Sequence, residues 1–401
     1  MSAKIDCVAR LCDTVRSLRQ LAPRLDQPLR LALLPSVGNA APLASAALAV
    51  AEALVAAAFE RIGIEDLRFC HDKQQQLTSF ELLISRRVSA AFDHGLPGVS
   101  DASVLDEARR LIAAQAIEAD SSRITSTPIR RAVGLSLAAY ASPKRHSKAV
   151  MMVLPCGMPF ELCLPWFQSL GQDHFVVTWE TRGLFGECTD FDAIDCTADA
   201  QIDDLFAVLD HFGIEEANLM GICGGAMIAL AAAARRPEQI KAMSLWYGDF
   251  VLADSTLRTA HQQNFEWLMS EAAQGRGDAA DLHGMFLDQK LLATVPEAIA
   301  HHALLPYANQ EAFYRYAKLN HALNQLDVEP LLASVDTPTL VVAGQNDTTT
   351  HTGGSTFIAR GLRNANLRME ADGDHQSFFS APDHSKMMAF EFIDSALAVP
   401  A

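Results

Sequence analysis

The sequence predicts an α/β protein: a mostly parallel, doubly wound sheet with a helical lid insertion, preceded by a helical N-terminal domain. Three observations lead there. From residue 149 onward, apolar strand-like runs alternate with helical patterns, the sign of a largely parallel sheet. Before residue 145 the pattern is helical throughout. Between Gly221 and Gly225 of Gly221-Ile222-Cys223-Gly224-Gly225 the chain must turn sharply, with an apolar run over 217–222 entering and an alanine-rich run over 226–235 leaving.

In the first domain, residues 1–145, the periodicity predicts helices over 5–21, 43–62, 79–92, 102–119 and 129–141. Asp101 or Ser103 can cap the fourth, and Asp106 and Glu107 favour its first turn. Gly95-Leu96-Pro97-Gly98 and Thr127-Pro128 are loop punctuation. No metal-ligand spacing, phosphate loop or repeat occurs here. The polar, basic segment 142–148 marks the boundary.

The second domain, residues 149–401, opens with an apolar strand over 149–154, a helix over 160–170 and a strand over 174–179. A long amphipathic helix over 195–212 stops at Gly213. The sharp turn follows, then a strand over 240–247. From about 250 to 336 the alternation ceases and aromatic-rich helical patterns, such as 264–272 and 310–323, predict a helical lid. Alternation resumes with a strand over 339–343, a helix near 356–362, a strand over 366–370 and a last helix over 382–397.

Composition bounds the function. With 401 residues, half of them hydrophobic and a fifth charged, the chain is long enough for two or three cores. A net charge of −16 argues against nucleic acid as a partner. That charge is unevenly spread: residues 1–149 hold 19 Lys and Arg against 15 Asp and Glu, and the remainder 13 against 33. The most apolar window, 41–59, is mostly alanine and contains Glu52, so it reads as a buried or amphipathic helix rather than a membrane span. Eight cysteines without C-x-x-C spacing indicate neither a zinc site nor a redox pair, and a reduced, cytoplasmic location is expected. No resident cofactor or metal is expected.

The turn at Cys223 has the form of a nucleophile elbow with cysteine in place of the commoner serine. A side chain at the tip of so tight a turn sits on strained backbone, and small neighbours at Gly221 and Gly225 let strand and helix approach. The turn aims the backbone N–H of Gly224 at the same point as the sulfur, which is half of an oxyanion hole at a helix N-terminus. A packed, inert thiol is the alternative at such a position. Two later strands run into acidic and histidine-bearing loops, Gly344-Gln345-Asn346-Asp347 and Asp372-Gly373-Asp374-His375. Cys223, Asp347 and His375 therefore fall at the carboxyl ends of strands, where such sheets gather their sites. His375 is expected to move the thiol proton and Asp347 to orient it, with Asp372 or Asp374 able to replace Asp347. His351 and His384 are weaker competitors for His375.

From residue 149 onward, this order of nucleophile, acid and histidine resembles the α/β-hydrolase fold. Pro155-Cys156-Gly157-Met158-Pro159 resembles that fold's His-Gly-x-Pro loop with cysteine in the histidine position, which implies the N–H of Met158 as second oxyanion donor. Trp179-Glu180-Thr181-Arg182-Gly183 matches the family's Asp-x-x-Gly turn loosely and is expected to be structural. Gly221-Ile222-Cys223-Gly224-Gly225 also resembles the box of polyhydroxyalkanoate synthases, although that family's Asn-Lys-Tyr-Tyr-Ile-Leu-like segment is missing: Phe160-Glu161-Leu162-Cys163 stands there. In length and in the place of Cys223 the chain resembles the aminoacyltransferases of nonribosomal peptide pathways, as in syringomycin assembly.

That resemblance implies transfer of an aminoacyl or acyl group between phosphopantetheine thiols of carrier proteins, through a thioester on Cys223. The partners would be carrier domains, their phosphopantetheine arm being substrate. Cysteine suits this, because an acyl group passing from thiol to thiol changes little in energy. Thioester or lactone hydrolysis, polyester synthesis and an inactive docking module are the alternatives. Carrier domains are generally acidic, so Arg130, Arg131, Lys144, Arg145 and Lys148 near the domain boundary are candidate docking cations.

Overall fold

Strands buried at every position need cover on both faces, and this chain supplies it with helices. The computed structural model describes residues 2–34, 45–71, 77–93, 106, 109–113 and 124–396. It divides into two compact units, one of Met1–Ser122 with Leu282–Asn309, the other of Arg123–Asp281 with Gln310–Ala401.

The first unit contains the helices Ser2–Ser17, Ser45–Glu60 and Ser79–Ala90, and a short parallel pair, β1 (Leu29–Leu31) and β2 (Leu67–Phe69). Thr78 opens the third helix with a capping box: its hydroxyl accepts from Glu81 N while the Glu81 side chain accepts from Thr78 N. The same Glu81 carboxylate takes both Arg30 Nε and Nη2 at 2.7 Å, tying helix to strand. Of the expected fourth helix, residues 106 and 109–113 are helical; its caps at Asp101 and Ser103, and the loop 95–98, lie outside the described residues.

Two expectations are corrected. The insertion over 250–336 is not one lid, because Leu282–Asn309 folds with the first unit. Gln289 Nε2 donates to Leu77 O at 2.6 Å, Asn309 Nδ2 donates to Arg24 O at 2.7 Å, and Phe286 stacks on Tyr307 at 4.2 Å. The stretch expected as a helix over 129–141 is an antiparallel hairpin of β3 (Thr125–Ala132) and β4 (Leu135–Ala141), so this part of the expected helical domain 1–145 belongs to the second unit's sheet. Its turn uses Gly134 at φ 71°, and Leu137 and Ala139 are fully buried. The apolar pattern suggested a helix; burial on the pleated face overrides it.

The second unit is built on an eight-stranded sheet in the order β10-β9-β8-β7-β5-β6-β4-β3. Here β5 is Ala149–Val153, β6 Phe175–Trp179, β7 Ala217–Ile222, β8 Ile240–Trp246, β9 Thr339–Gly344 and β10 Ala365–Glu370. The six strands from β5 to β10 run parallel. From β5 the chain winds outward to β6 on one side, then returns to place β7 on the other. The crevice beyond the carboxyl ends of β5 and β7 is therefore the topological switch point, where such sheets bind ligands. The Glu180–Gly183 turn is structural: Arg182 forks onto buried Asp204, and Glu180 receives Tyr140 Oη and Phe160 N. Among the described residues, no helix is long and apolar enough to cross a membrane.

Candidate active site

At the end of β7, Cys223 stands at φ 52°, in the left-handed region that a residue with a Cβ rarely occupies. The strain is held by neighbours. Cys223 N donates to Trp246 O at 3.0 Å, and its carbonyl accepts from Ala226 N at 3.0 Å and Asp249 N at 3.2 Å. The flanking glycines are needed for close approach: a Cβ on Gly225 would lie 2.2 Å from Val153 O, and one on Gly221 2.7 Å from the Ala226 Cα. Helix Gly225–Arg235 buries nine successive residues from Gly225 to Ala233, and its alanines let it lie close on the sheet.

The other two loops are clamped together. Asn346 N donates to Gly373 O at 3.0 Å and Gln345 N donates to Glu370 O at 2.9 Å, bringing Asp347 beside His375. His375 Nδ1 lies 3.0 Å from Asp347 Oδ2, and the ring is also hydrogen-bonded to the Cys223 sulfur. With Nδ1 on the carboxylate, Nε2 faces the thiol. Asp347 is itself fixed by Thr349 N (2.7 Å), Thr350 N (2.9 Å) and the Thr350 hydroxyl (2.7 Å). Burial disfavours the Asp347 carboxylate, but the His375 hydrogen bond and charge and the Thr350 donors outweigh it and hold its pKa below the ordinary value. Burial likewise favours a neutral His375. The charge of the neighbouring Cys223 sulfur, with hydrogen bonds to Asp347 and Cys223, overcomes this and pushes the imidazole up to about 10.

The competitors separate cleanly. His351 Nδ1 accepts from Gly353 N at 3.0 Å, and His384 lies 3.1 Å from Glu370 on the last helix. Asp374 accepts from Gln376 N at 2.8 Å, and it is Asp347 that meets the ring. The two cysteines close enough to couple to Cys223 are buried, thiol-form groups: burial pushes Cys156 up to about 12 and Cys163 higher still.

The proposed oxyanion donors fare differently. Gly224 is the N-cap of the helix Gly225–Arg235, next to Cys223 in the chain. Met158 does not offer a free donor, because Gly157 at φ 75° closes a tight turn in which Met158 N donates to Pro155 O at 3.1 Å. The five docking cations all lie in the second unit, and three are engaged within it. Arg131 pairs with Asp204 at 2.8 Å, Arg145 donates to the carbonyls of Phe212 and Gly213, and Lys148 pairs with Asp394. Arg130 and Lys144 are the two of the set whose side chains make neither an ion pair nor a hydrogen bond among the described residues.

Two supports for the site were missed in the sequence. Tyr247, at φ 48°, sets its ring edge-on to His375 at 5.9 Å and donates its hydroxyl to Glu370, which with burial raises its pKa. Nothing local in the sequence marks it. The Thr349 and Thr350 donors were legible, since an acid followed by hydroxyl residues at these offsets makes an Asx turn. Among the described residues, no cluster of three or more His, Cys, Asp or Glu side chains could hold a metal ion.

Comparison with known proteins agrees with this fold. The family model described as alpha/beta hydrolase fold matches residues 173–382. A protein of Pseudomonas savastanoi pv. phaseolicola assigned as the carbamate hydrolase RutD is 25% identical over 258 residues, 63% of this chain and 96% of its own. The L-allo-isoleucyltransferase of Pseudomonas savastanoi pv. glycinea is 26% identical over 176 residues, 44% of this chain and 61% of its own. Among solved structures, the enol-lactonase of Burkholderia xenovorans LB400 superposes with a TM-score of 0.53 at 18% identity, over 65% of this chain and 97% of its own, a likeness of fold.

Proposed function

Since this chain belongs to the alpha/beta hydrolase family, we propose that it is an acyltransferase that carries an aminoacyl group between phosphopantetheine thiols of carrier proteins, through a thioester on Cys223. The observation that carries this reading is the sulfur on a strained turn, hydrogen-bonded to an imidazole that Asp347 orients. Once the ring has taken the thiol proton, sulfur and ring are a poised nucleophile and acid.

The steps balance within the site. The Cys223 thiolate attacks the thioester carbonyl carbon, and Gly224 N–H receives the oxyanion. Collapse breaks the carbon–sulfur bond to pantetheine, and the departing thiolate takes the proton from His375. The acceptor thiol then gives its proton to His375 and attacks the acyl-Cys223 carbonyl; expulsion of the Cys223 thiolate restores the starting pair. Met158 can serve as a second donor only after its turn bond to Pro155 opens.

Similarity to an isoleucyltransferase supports transfer, and similarity to a carbamate hydrolase supports a second reading in which water replaces the acceptor thiol. Thiol exchange is close to neutral in energy, which favours the first. Intact-mass measurement after mixing with an aminoacyl carrier protein decides. Transfer predicts an adduct on Cys223, absent from Cys223→Ala, that moves to a second carrier. Adduct lost to water with no acceptor loading overturns transfer in favour of hydrolysis, and no adduct at all overturns both.

A further inference from the structure

We infer that Asp249 recognises the α-ammonium group of an aminoacyl thioester held at Cys223, and so selects aminoacyl over plain acyl substrates. This rests on the acyl-enzyme reading above and adds the residue that sets its substrate class. An α-ammonium nitrogen is three bonds from the sulfur of an acyl-cysteine, so its counter-ion must come from a residue flanking the elbow. Asp249 flanks it directly: its N–H donates to the Cys223 carbonyl at 3.2 Å.

The other carboxylates around the site are occupied. Asp347 receives His375, Thr349 and Thr350. Glu370 receives the Tyr247 and Ser385 hydroxyls and pairs with His384. Asp249 is half-buried and makes no ion pair among the described residues; its neighbour is the amide of Gln262, whose Nε2 donates to Asp249 Oδ1 at 2.8 Å. That amide cannot be flipped. Its Oε1 accepts from Thr259 N and His351 N, both at 3.0 Å, so Nε2 must face Asp249.

A buried polar amide thus steers one carboxylate oxygen and leaves the charge uncompensated. His261, one residue before Gln262, feels the Asp249 charge but does not neutralise it: burial outweighs that pull and, with the charge on His375, holds the imidazole below its ordinary value. A half-buried carboxylate without a cation beside a nucleophile is costly unless a ligand brings the positive charge. A primary ammonium supplies both that charge and hydrogen-bond donors for the remaining lone pairs.

The test uses the full chain and two pantetheine thioesters that differ by one group, L-leucyl-pantetheine and 4-methylpentanoyl-pantetheine, with the rate of Cys223 adduct formation read by intact mass. The wild type is expected to prefer the leucyl substrate. Asp249→Asn keeps the shape and the Gln262 hydrogen bond, and should lower the leucyl-to-acyl rate ratio by about 10- to 100-fold, the range for losing a charged hydrogen bond. The exposed, remote control Asp210→Asn should leave the ratio at its wild-type value. A wild type that loads both substrates equally, or an Asp249→Asn variant with wild-type melting and an unaltered ratio, overturns the role of Asp249 while the acyl-enzyme stands. A wild type that loads neither substrate removes the acyl-enzyme reading, and this inference with it.

Discussion

In the first unit, the His301 and His302 rings lie tilted with their centroids 3.8 Å apart; the charges acting on His301 are those of His302 and Arg87, and on His302 those of Arg87 and Arg19. In the second, His375 is buried about as deeply as His301, between the Cys223 sulfur and the Asp347 carboxylate. Burial acts on all three rings in the same direction, toward the neutral form. In the first unit the positive charges of His302, on His301, and of the arginines reinforce it, and His301 and His302 are pushed down to about 2 and about 3. In the second the anionic partners reverse it. The protonation of a buried histidine is thus decided by the sign of what touches it, and one of these two arrangements is suited to moving protons.

The largest expected effect comes from removing the ring. His375→Ala should slow Cys223 acylation by about 10³-fold, in the range for loss of a positioned acid–base group. A loss of less than tenfold in a folded variant would show that the second-unit arrangement is not the working one.

Next, Cys223→Ala removes the leading cause that raises the His375 pKa. Its titration, followed by NMR of the ring carbons, should fall from about 10 toward the ordinary imidazole range, and no change would mean that Asp347 alone holds the proton. The linkage follows from the sign. A folded pKa above the unfolded value contributes stability that is complete below the unfolded pKa of about 6.5 and is lost as pH rises toward 10.

The His301–His302 pair should show the opposite dependence. Their folded pKa values lie below the unfolded one, so their contribution is present above about pH 6.5 and declines as pH falls, by up to about 1.4 kcal/mol per proton and pH unit. Hydrogen exchange followed from pH 7 to 4.5 should therefore show Ser79–Ala90 losing protection before Ala217–Ile222. The reverse order would overturn the contrast.

The smallest effect concerns carrier docking, with the candidate set reduced to the cations whose side chains make neither an ion pair nor a hydrogen bond among the described residues. Arg130→Glu with Lys144→Glu should slow loading from a carrier protein by about three- to tenfold at low salt, and spare a pantetheine thioester. Equal slowing with both substrates would remove the electrostatic docking proposal.

The sequence alone determined the elbow and the two loops that serve it. Those signals are short: Gly221 and Gly225 flank Cys223 within five residues, and Asp347 and His375 each follow an apolar strand by a few positions. Local spacing dictates local backbone, so each piece was legible without its partners. Only the tertiary structure decided what each piece meets. Residues 129–141 became a hairpin because a sheet edge was there to receive them, and Leu282–Asn309 joined the first unit through bonds to residues some two hundred positions or more earlier. The Met158 N–H was taken by its own turn, and Asp249 was set beside the nucleophile by a main-chain bond and a glutamine held from two other loops. Hydrogen-bond partners and counter-charges distant in sequence have no period or spacing to betray them, and they govern which donors are free and which charges stay uncompensated.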